Sequence, residues 1–339
     1  MSRAFRRLLV AGAAGFIGSN FVRHLRRTRP EVEIVVLDKL TYAGNKANLA
    51  EFEDQHGYRF VHGDICDTAR VDELAAEVDA IVNFAAETHV DRSLMDPYEF
   101  IETDVRGTAV LCEAARKHAH VVFLLISTDE VYGEVREGRS KETDAFRPRS
   151  PYSASKAASE HIAMACAESF GLPLLVTRSS NNYGPYQYPE KLIPVLITNA
   201  IDGLPLPLYK DGSAVRDYLF IDDDCRAIDE VLHEAPVGGV YNIGTGAETT
   251  GLQVAEAVLD LLGKPRSLIE FVADRPGHDS RYALDISRIT ALGWEPQVTF
   301  AEGLKRTVRW YLEHEDWWRP LKSGEYWEYY RRNYRPLVN

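Results

Sequence analysis

A chain of 339 residues exceeds what one hydrophobic core usually fills, so about two domains are expected. Hydrophobic residues at 45% and charged residues at 27% are an ordinary balance for a globular protein. With 39 basic against 51 acidic side chains and a net charge of −12, the overall field repels nucleic acid, and any phosphate on a ligand must be held by local donors.

Cys66, Cys112, Cys166 and Cys225 lie far apart with no C-x-x-C pair, and the histidines show no ligand spacing. That pattern argues against disulfides and zinc, and no metal is expected. The start, Arg6-Arg7 followed by Leu8-Leu9-Val10-Ala11 and Gly12-Ala13-Ala14-Gly15, superficially looks like a secretory leader. Its apolar run is short and broken by glycine, so it reads as a first strand and turn. No segment reaches the ~18 apolar residues of a membrane span. A cytoplasmic protein without a membrane partner is expected.

The first half alternates strand and helix signals. Strands are predicted at Leu8–Ala11, Glu33–Leu37, Arg59–His62, Ala80–Ala85, Val121–Ile126 and Leu174–Thr177, with helices at 16–28, 69–77, 99–117 and 152–169. The alternation predicts a Rossmann-type doubly wound parallel sheet that binds ligands at the carboxyl ends of its strands. From about residue 180 the pattern turns irregular and is bounded by Pro185, Pro189, Pro194, Pro205 and Pro207. Short strands at Val240–Ile243 and Leu268–Val272 and helices at 222–234, 252–262 and 300–314 follow. Residues 1–180 therefore read as the dinucleotide-binding domain. Residues 181–339 read as a smaller α/β substrate lobe that shares some elements with the sheet.

The helix at 152–169 carries small residues around most of its circumference, and such a helix is buried on nearly all faces. Either the second lobe covers it, or a second subunit does. The apolar face of helix 99–117 (Ile101, Val105, Val110, Leu111, Ala114, Ala115) favours a homodimer through these two helices.

Gly12-x-x-Gly15-x-x-Gly18 follows the first strand and opens the first helix. Glycines there permit a tight turn and a close backbone approach, and the helix start offers free N–H groups to a pyrophosphate. Glycines also mark plain turns, but Asp38 closes the second strand twenty residues after Gly18, where a carboxylate can accept from a ribose hydroxyl. It would repel a 2′-phosphate, so NAD is favoured over NADP, although Lys39 beside it could serve a phosphate. Asp64 and Ile65 at the third strand end suit the adenine.

Tyr152 and Lys156 are four residues apart and share a helix face. A tyrosine of pKa near ~10 is a poor base at neutral pH, and an adjacent ammonium together with a positive nicotinamide ring makes its phenolate usable. The same pair could sit on an ordinary exposed helix; after a nucleotide-binding half it reads as hydride-transfer equipment. Thr128 lies near the same reacting oxygen. Asp129 and Glu130 end the Val121–Ile126 strand segment, a place where acidic pairs often only cap helices or carry loop charge. Neighbouring carboxylates tend to split their pKa values, one protonated and one ionised. Simple hydride transfer has no use for them; elimination of water does.

The stretches AAETHVDRS (85–93), STDEVYG (127–133), YSASK (152–156), SNNYGPYQYPEKLIP (180–194), RDYLFIDD (216–223) and DRPGHDSRYALD (274–285) resemble the dTDP-glucose 4,6-dehydratases, nucleotide-sugar enzymes of the extended short-chain dehydrogenase/reductase superfamily. The resemblance runs nearly end to end. It implies that NAD stays bound, that Tyr152 takes the proton from the hydroxyl on sugar carbon 4 as hydride leaves, and that the new ketone acidifies the hydrogen on carbon 5. Glu130 would remove that hydrogen and Asp129 would protonate the hydroxyl leaving carbon 6. Hydride then returns to carbon 6 and a proton to carbon 5, giving a 4-keto-6-deoxy sugar. By the same resemblance Phe16, Ile17, Lys39, Leu40, Thr41, Ala85, Ala86, Thr103 and Asn182 are cofactor contacts. His89, Thr128, Asn181, Lys191, Leu192, Pro207, Tyr209, Arg216, Asp274, Arg275 and His278 are substrate contacts. Lys191 and Arg216 are sensible diphosphate partners in a net-acidic protein.

The chain departs from the family at Gly251 and Ala247, where asparagine is usual, and at Thr88, where serine is. A 4-epimerase on the same scaffold would not need Asp129 or Glu130. A decarboxylase would want basic residues for a uronate. A regulatory NAD-binding protein without turnover should have lost part of the catalytic set, and none is lost.

Overall fold

In the computed structural model, which describes residues 3–334, the predicted alternation forms one parallel sheet. Its strands are β1 (Arg7–Ala11), β2 (Glu33–Asp38), β3 (Tyr58–His62), β4 (Ala80–Asn83), β5 (Val122–Thr128), β6 (Leu174–Ser179) and β7 (Val240–Ile243). The order is 3-2-1-4-5-6-7, every neighbouring pair is parallel, and the run Arg6-Arg7-Leu8 enters the central strand. The order in which strands are added reverses between β1 and β4, with β2 and β3 on one side and β4 to β7 on the other, so a crevice opens where these two strands end.

β5 is buried from Val122 to Ser127, as expected for a strand covered on both faces by helices. Each such leucine or valine contributes roughly 1.5–3 kcal/mol on leaving water. Val240–Ile243, read from sequence within the second lobe, is the seventh strand and pairs with β6. Helix Ile221–Glu234 packs on helix Phe16–Thr28 and reaches β7, so the chain returns to the sheet after residue 220.

Among the elements of the second lobe absent from the sequence reading are two helices of ten residues or more. Helix Leu192–Asp202 is buried almost all round, and its Pro194 lies in the first turn, where no intrahelical N–H bond is lost. Helix Gly324–Asn333 brings Tyr326 and Tyr329 down onto the lobe. The strands Leu206–Tyr209 and Ile269–Val272 pair in parallel and form one of three two-stranded sheets among the described residues.

Two helices frame the catalytic region. Helix Pro151–Phe170 starts at a reciprocal cap in which Ser150 and Ser153 satisfy each other's backbone N–H groups, with Pro151 at the first helical position. The cap fixes the turn that carries Tyr152. Deeper in, Arg178 of β6 donates from Nε to Glu160 at 2.9 Å, both side chains almost fully buried, and so anchors this helix to the sheet. Pro97–Phe100, Ile101–Gly107 and Thr108–Lys117 form one continuous helix whose middle is π-helical. Such a bulge marks functional sites more often than chance.

Candidate active site

Two adjoining clefts lie above the carboxyl ends of the strands. The first encloses about 1240 Å³ and the second about 1080 Å³, and Thr88, Gln187, Glu190 and Lys191 line both.

The floor of the first cleft is the glycine turn. Gly12 has φ of 75°, and a Cβ there would stand 2.4 Å from the backbone nitrogen of Ala85. A Cβ on Gly18 would stand 2.6 Å from the Gly12 carbonyl oxygen. Side chains at either position would drive the turn away from β4 or from the helix. Gly15 caps helix Phe16–Thr28 without a side-chain acceptor, so the N–H groups of its first turn face the cleft unused. This cradle fits a pyrophosphate.

Asp38 lines the first cleft, and its Oδ2 accepts from the Ala14 N–H and its Oδ1 from the Leu40 N–H, each at 2.8 Å. It therefore ties the glycine turn to the end of β2. Lys39 pairs with Asp64 at 2.8 Å, so this lysine is committed to a carboxylate rather than left for a phosphate. Thr41, Ile65, Ala85, Ala86, Thr103, Tyr152 and Lys156 line the first cleft with Phe16 and Ile17. Leu40 packs against the hydrophobic core, and Asn182 lies on the wall of the second cleft, with its amide donating to Asp224 at 2.8 Å.

In the second cleft, His89, Asn181, Leu192, Pro207 and Tyr209 share the walls with Gly251. Burial lowers His89 to about 4, so its imidazole is neutral. Arg216 is buried and stacks on Tyr282 at 4.4 Å. Its guanidinium donates to the backbone carbonyls of Val215 and Asp279 rather than to a carboxylate, which leaves its charge available to a ligand. Arg275 instead pairs with Asp91 at 2.9 Å. His278 meets Asp274 at 2.6 Å at the cleft edge, and Lys191 donates to the Thr88 hydroxyl at 2.8 Å.

Tyr152 and Lys156 line the first cleft and Glu130 the second, with Thr128 and Asp129 just before Glu130 in the chain but on neither wall. Thr128, the last residue of β5, caps the turn Asp129–Tyr132, its hydroxyl accepting from the Glu130 N–H at 3.3 Å. Asp129 is 3% exposed, and its Oδ2 has no hydrogen-bond partner among the described residues. Burial, reinforced by the charge of Glu130, lifts Asp129 to about 8. Burial also raises Glu130, while Arg275, Arg216 and Lys191 pull it back toward the ionised form. The pair is thus asymmetric: a carboxylic acid at neutral pH beside a group surrounded by three cations.

Lys156 donates to the Ile126 carbonyl at 2.8 Å. Burial, then the charges of Glu130 and Asp104, hold Tyr152 well above its ordinary value, with the Thr128 hydroxyl opposing them. Among the chain's own charges the side chain stays a phenol. The sequence reading credited the phenolate to Lys156 together with a positive nicotinamide ring; within the protein alone burial is the larger influence, and the surrounding carboxylates add to it.

Those carboxylates include residues that sequence reasoning missed. Asp104, in the π-helical stretch, accepts from Ser155 at 2.5 Å and from the Glu87 N–H at 2.9 Å, and it faces Lys156. Asp91 accepts from Arg275, Tyr209 and Tyr329, each at 2.9 Å. Only the π bulge gives Asp104 away, and that is a property of the backbone, not of composition.

Comparison with known proteins agrees with this geometry. Residues 9–307 match the sequence profile of the GDP-mannose 4,6 dehydratase family. A dTDP-glucose 4,6-dehydratase of Streptomyces niveus is 52% identical over 94% of this chain and 96% of its own length. The low-salt glycan biosynthesis protein Agl12 of Haloferax volcanii is 49% identical over 91% of this chain and 99% of its own. Among solved structures, the dTDP-glucose 4,6-dehydratase DesIV of Streptomyces venezuelae, determined with NAD and TYD bound, superposes with a TM-score of 0.91 at 50% identity, covering 93% of this chain and all of that one. A profile spanning most of the sequence and near-full-length relatives at this similarity place the chain in the nucleotide-sugar 4,6-dehydratase family, and it belongs there with the dTDP-glucose 4,6-dehydratases.

Proposed function

We propose that this protein is a hydro-lyase that converts dTDP-glucose to dTDP-4-keto-6-deoxyglucose with NAD as a resident cofactor. The first cleft suits NAD, since its glycine cradle has no room for side chains and Lys39 is already paired. NAD held there would supply the acceptor for the carbon 4 hydride and the store from which carbon 6 later receives it, and its ring, positive only while oxidised, would favour the tyrosine phenolate at the oxidation step. Tyr152 withdraws the proton of the carbon 4 hydroxyl, oriented by Thr128. Once carbon 4 is a ketone, the hydrogen on carbon 5 becomes acidic enough for a carboxylate; Glu130 takes it as a proton, and a proton returns to carbon 5 when hydride reaches carbon 6. Asp129 gives its proton to the hydroxyl leaving carbon 6. Arg216 and Lys191 hold the diphosphate in the second cleft.

The observation that carries this reading is the buried Asp129 carboxyl, protonated near neutral pH with an oxygen left without a partner, beside a cation-flanked Glu130. An epimerase has no use for it. Incubation with dTDP-glucose is expected to yield a ketone that absorbs in strong base with no net NADH. Steady NADH accumulation would mark an ordinary dehydrogenase instead. Running uridine, cytidine and guanosine diphosphate sugars alongside reads how strictly the cleft near Gly251 selects the thymidine base.

The working unit is a homodimer. Leu94 and Met95, just before the π-bulged helix, and Tyr98 and Ile101 within it are exposed, Tyr98 at 77%. Ala154 and Ala165 are exposed on helix Pro151–Phe170. Contiguous apolar surface of this kind marks an interface. Ile101→Glu is expected to convert a species of twice the 38.2 kDa chain mass into a monomer in light scattering; a monomeric wild type would refute the dimer. The four free thiols and a nucleotide-sugar substrate fit a reducing, cytoplasmic setting.

A further inference from the structure

Residues 41–44 and residues 187–191 come from distant parts of the chain, and both border the first cleft. They meet at Tyr42. Its hydroxyl donates to Glu190 Oε1 at 2.9 Å, its ring lies 3.7 Å from the Arg92 guanidinium, and Tyr188 meets it edge-on at 5.6 Å. Arg92 Nε donates to the other Glu190 oxygen at 3.0 Å. Glu190 is 1% exposed, so one buried carboxylate takes a hydrogen bond on each oxygen. None of the chemical steps assigned above uses Tyr42, Arg92 or Glu190.

Both segments are also tied to the glycine turn and its helix. The Asn45 N–H donates to the Ala14 carbonyl at 3.0 Å, and Asn48 donates to the same oxygen at 2.8 Å. On the other side Asn20, from helix Phe16–Thr28, donates to the Pro185 carbonyl at 3.0 Å. These contacts close a ring: from the glycine turn to residues 41–45, across Tyr42 and Glu190, and back through Pro185 to the helix whose first turn offers its N–H groups to the pyrophosphate. The Tyr42–Glu190 hydrogen bond is the polar link of this ring, with the Tyr42–Tyr188 ring contact beside it.

We infer that Tyr42, Glu190 and Arg92 form a clasp that closes this ring over the bound dinucleotide and sets how long it stays on the enzyme. The inference rests on reading the first cleft as the NAD site. It gives that site a property the reaction needs. Hydride lent at carbon 4 must be repaid to the same sugar, and a cofactor that escapes while reduced strands an unsaturated ketone. Retention by a clasp also leaves the reacting end of the cleft free of extra contacts, because Tyr42 grips from the β2 side while Tyr152 and Lys156 work from the other.

The test uses holoenzyme as purified. Bound NAD is counted after denaturation, and its exchange against an excess of isotopically labelled NAD is timed for wild type, Tyr42→Phe and Arg92→Lys. Tyr42→Phe removes one hydroxyl and leaves the Glu190 charge short of a donor; loss of a hydrogen bond to a charged group is on the scale of a tenfold to hundredfold change. Exchange at least about tenfold faster in Tyr42→Phe, and faster in Arg92→Lys, with the melting temperature of the NAD-free protein unchanged, is the expected result. Exchange within twofold of wild type in both variants overturns the clasp. An equal fall in melting temperature with and without NAD overturns it too, since that is a packing defect. A wild type that neither carries nor binds NAD fails differently: it refutes the functional reading and the clasp together.

Discussion

Glu130→Gln is expected to separate the two halves of the reaction. On mixing holoenzyme with dTDP-glucose, absorbance at 340 nm should rise and stay, since sugar is oxidised but elimination stalls. Deuterium from solvent should enter carbon 5 about 10²- to 10⁴-fold more slowly than in wild type, the range for removing a positioned general base. Glutamine keeps the size of the side chain and loses only the charge and the basicity. Its effect on the first step runs the other way. The Glu130 charge is, after burial, the largest influence raising Tyr152. Neutralising it lowers the tyrosine, so oxidation in the variant should persist to lower pH than in wild type. A single structural disruption would slow both steps together and could not shift one toward acid. Deuterium incorporation at the wild-type rate would show that another group is the base, and Glu130 would then serve only to tune Asp129 and Tyr152.

What the amino-acid sequence makes legible, and what it hides, follows from how far apart the partners are. Gly12, Gly15 and Gly18 act within one turn, Tyr152 and Lys156 within one helical turn, and Thr128 to Glu130 are consecutive. Local spacing is enough to read each set. The sheet is equally legible up to β6, because its interior strands carry apolar runs set between helical patterns, and edge strand β3, which mixes apolar and polar residues, fits the same alternation. β7 could not be assigned to it, since nothing local tells a strand which sheet it joins. Helix Leu192–Asp202 was hidden by its own proline, which reads as a breaker until its place in the first turn is known.

The carboxylates are the harder case. Ser155 lies 51 residues from Asp104, and Glu190 lies 148 from Tyr42. In sequence these are charges among fifty-one, with surface solvation the default account of each. Only burial changes their meaning, because a carboxylate removed from water must find donors. The Asp104, Asp91 and Glu190 networks are the donors found, and each one fixes a residue that the sequence did reveal: Lys156 by charge, Arg275 by an ion pair, and the loop after Asp38 by Tyr42.

The same burial argument makes a second result testable through pH. Asp129 has to be protonated to give a proton to the hydroxyl leaving carbon 6. With its carboxyl lifted to about 8, turnover should hold through neutral pH and fall as pH rises through about 8. An ordinary aspartate, ionised above about pH 4, would have no proton to give anywhere in that range. Asp129→Asn cannot donate a proton, so its turnover should fall by about 10²- to 10⁴-fold and the descending limb near pH 8 should vanish from whatever activity remains. The neighbouring charge supplies an internal control. After burial, Glu130 is the main influence holding Asp129 up, so neutralising it should move Asp129 to lower pH. In Glu130→Gln, the residual elimination should therefore lose its alkaline limb at a pH below that of wild type. Ascent of turnover uninterrupted from pH 7 to pH 9.5 would rule out Asp129 as the acid, because only a group that acts deprotonated gains from rising pH. A limb that stays in place in Glu130→Gln would leave the acid in position but show that its proton is held by desolvation alone.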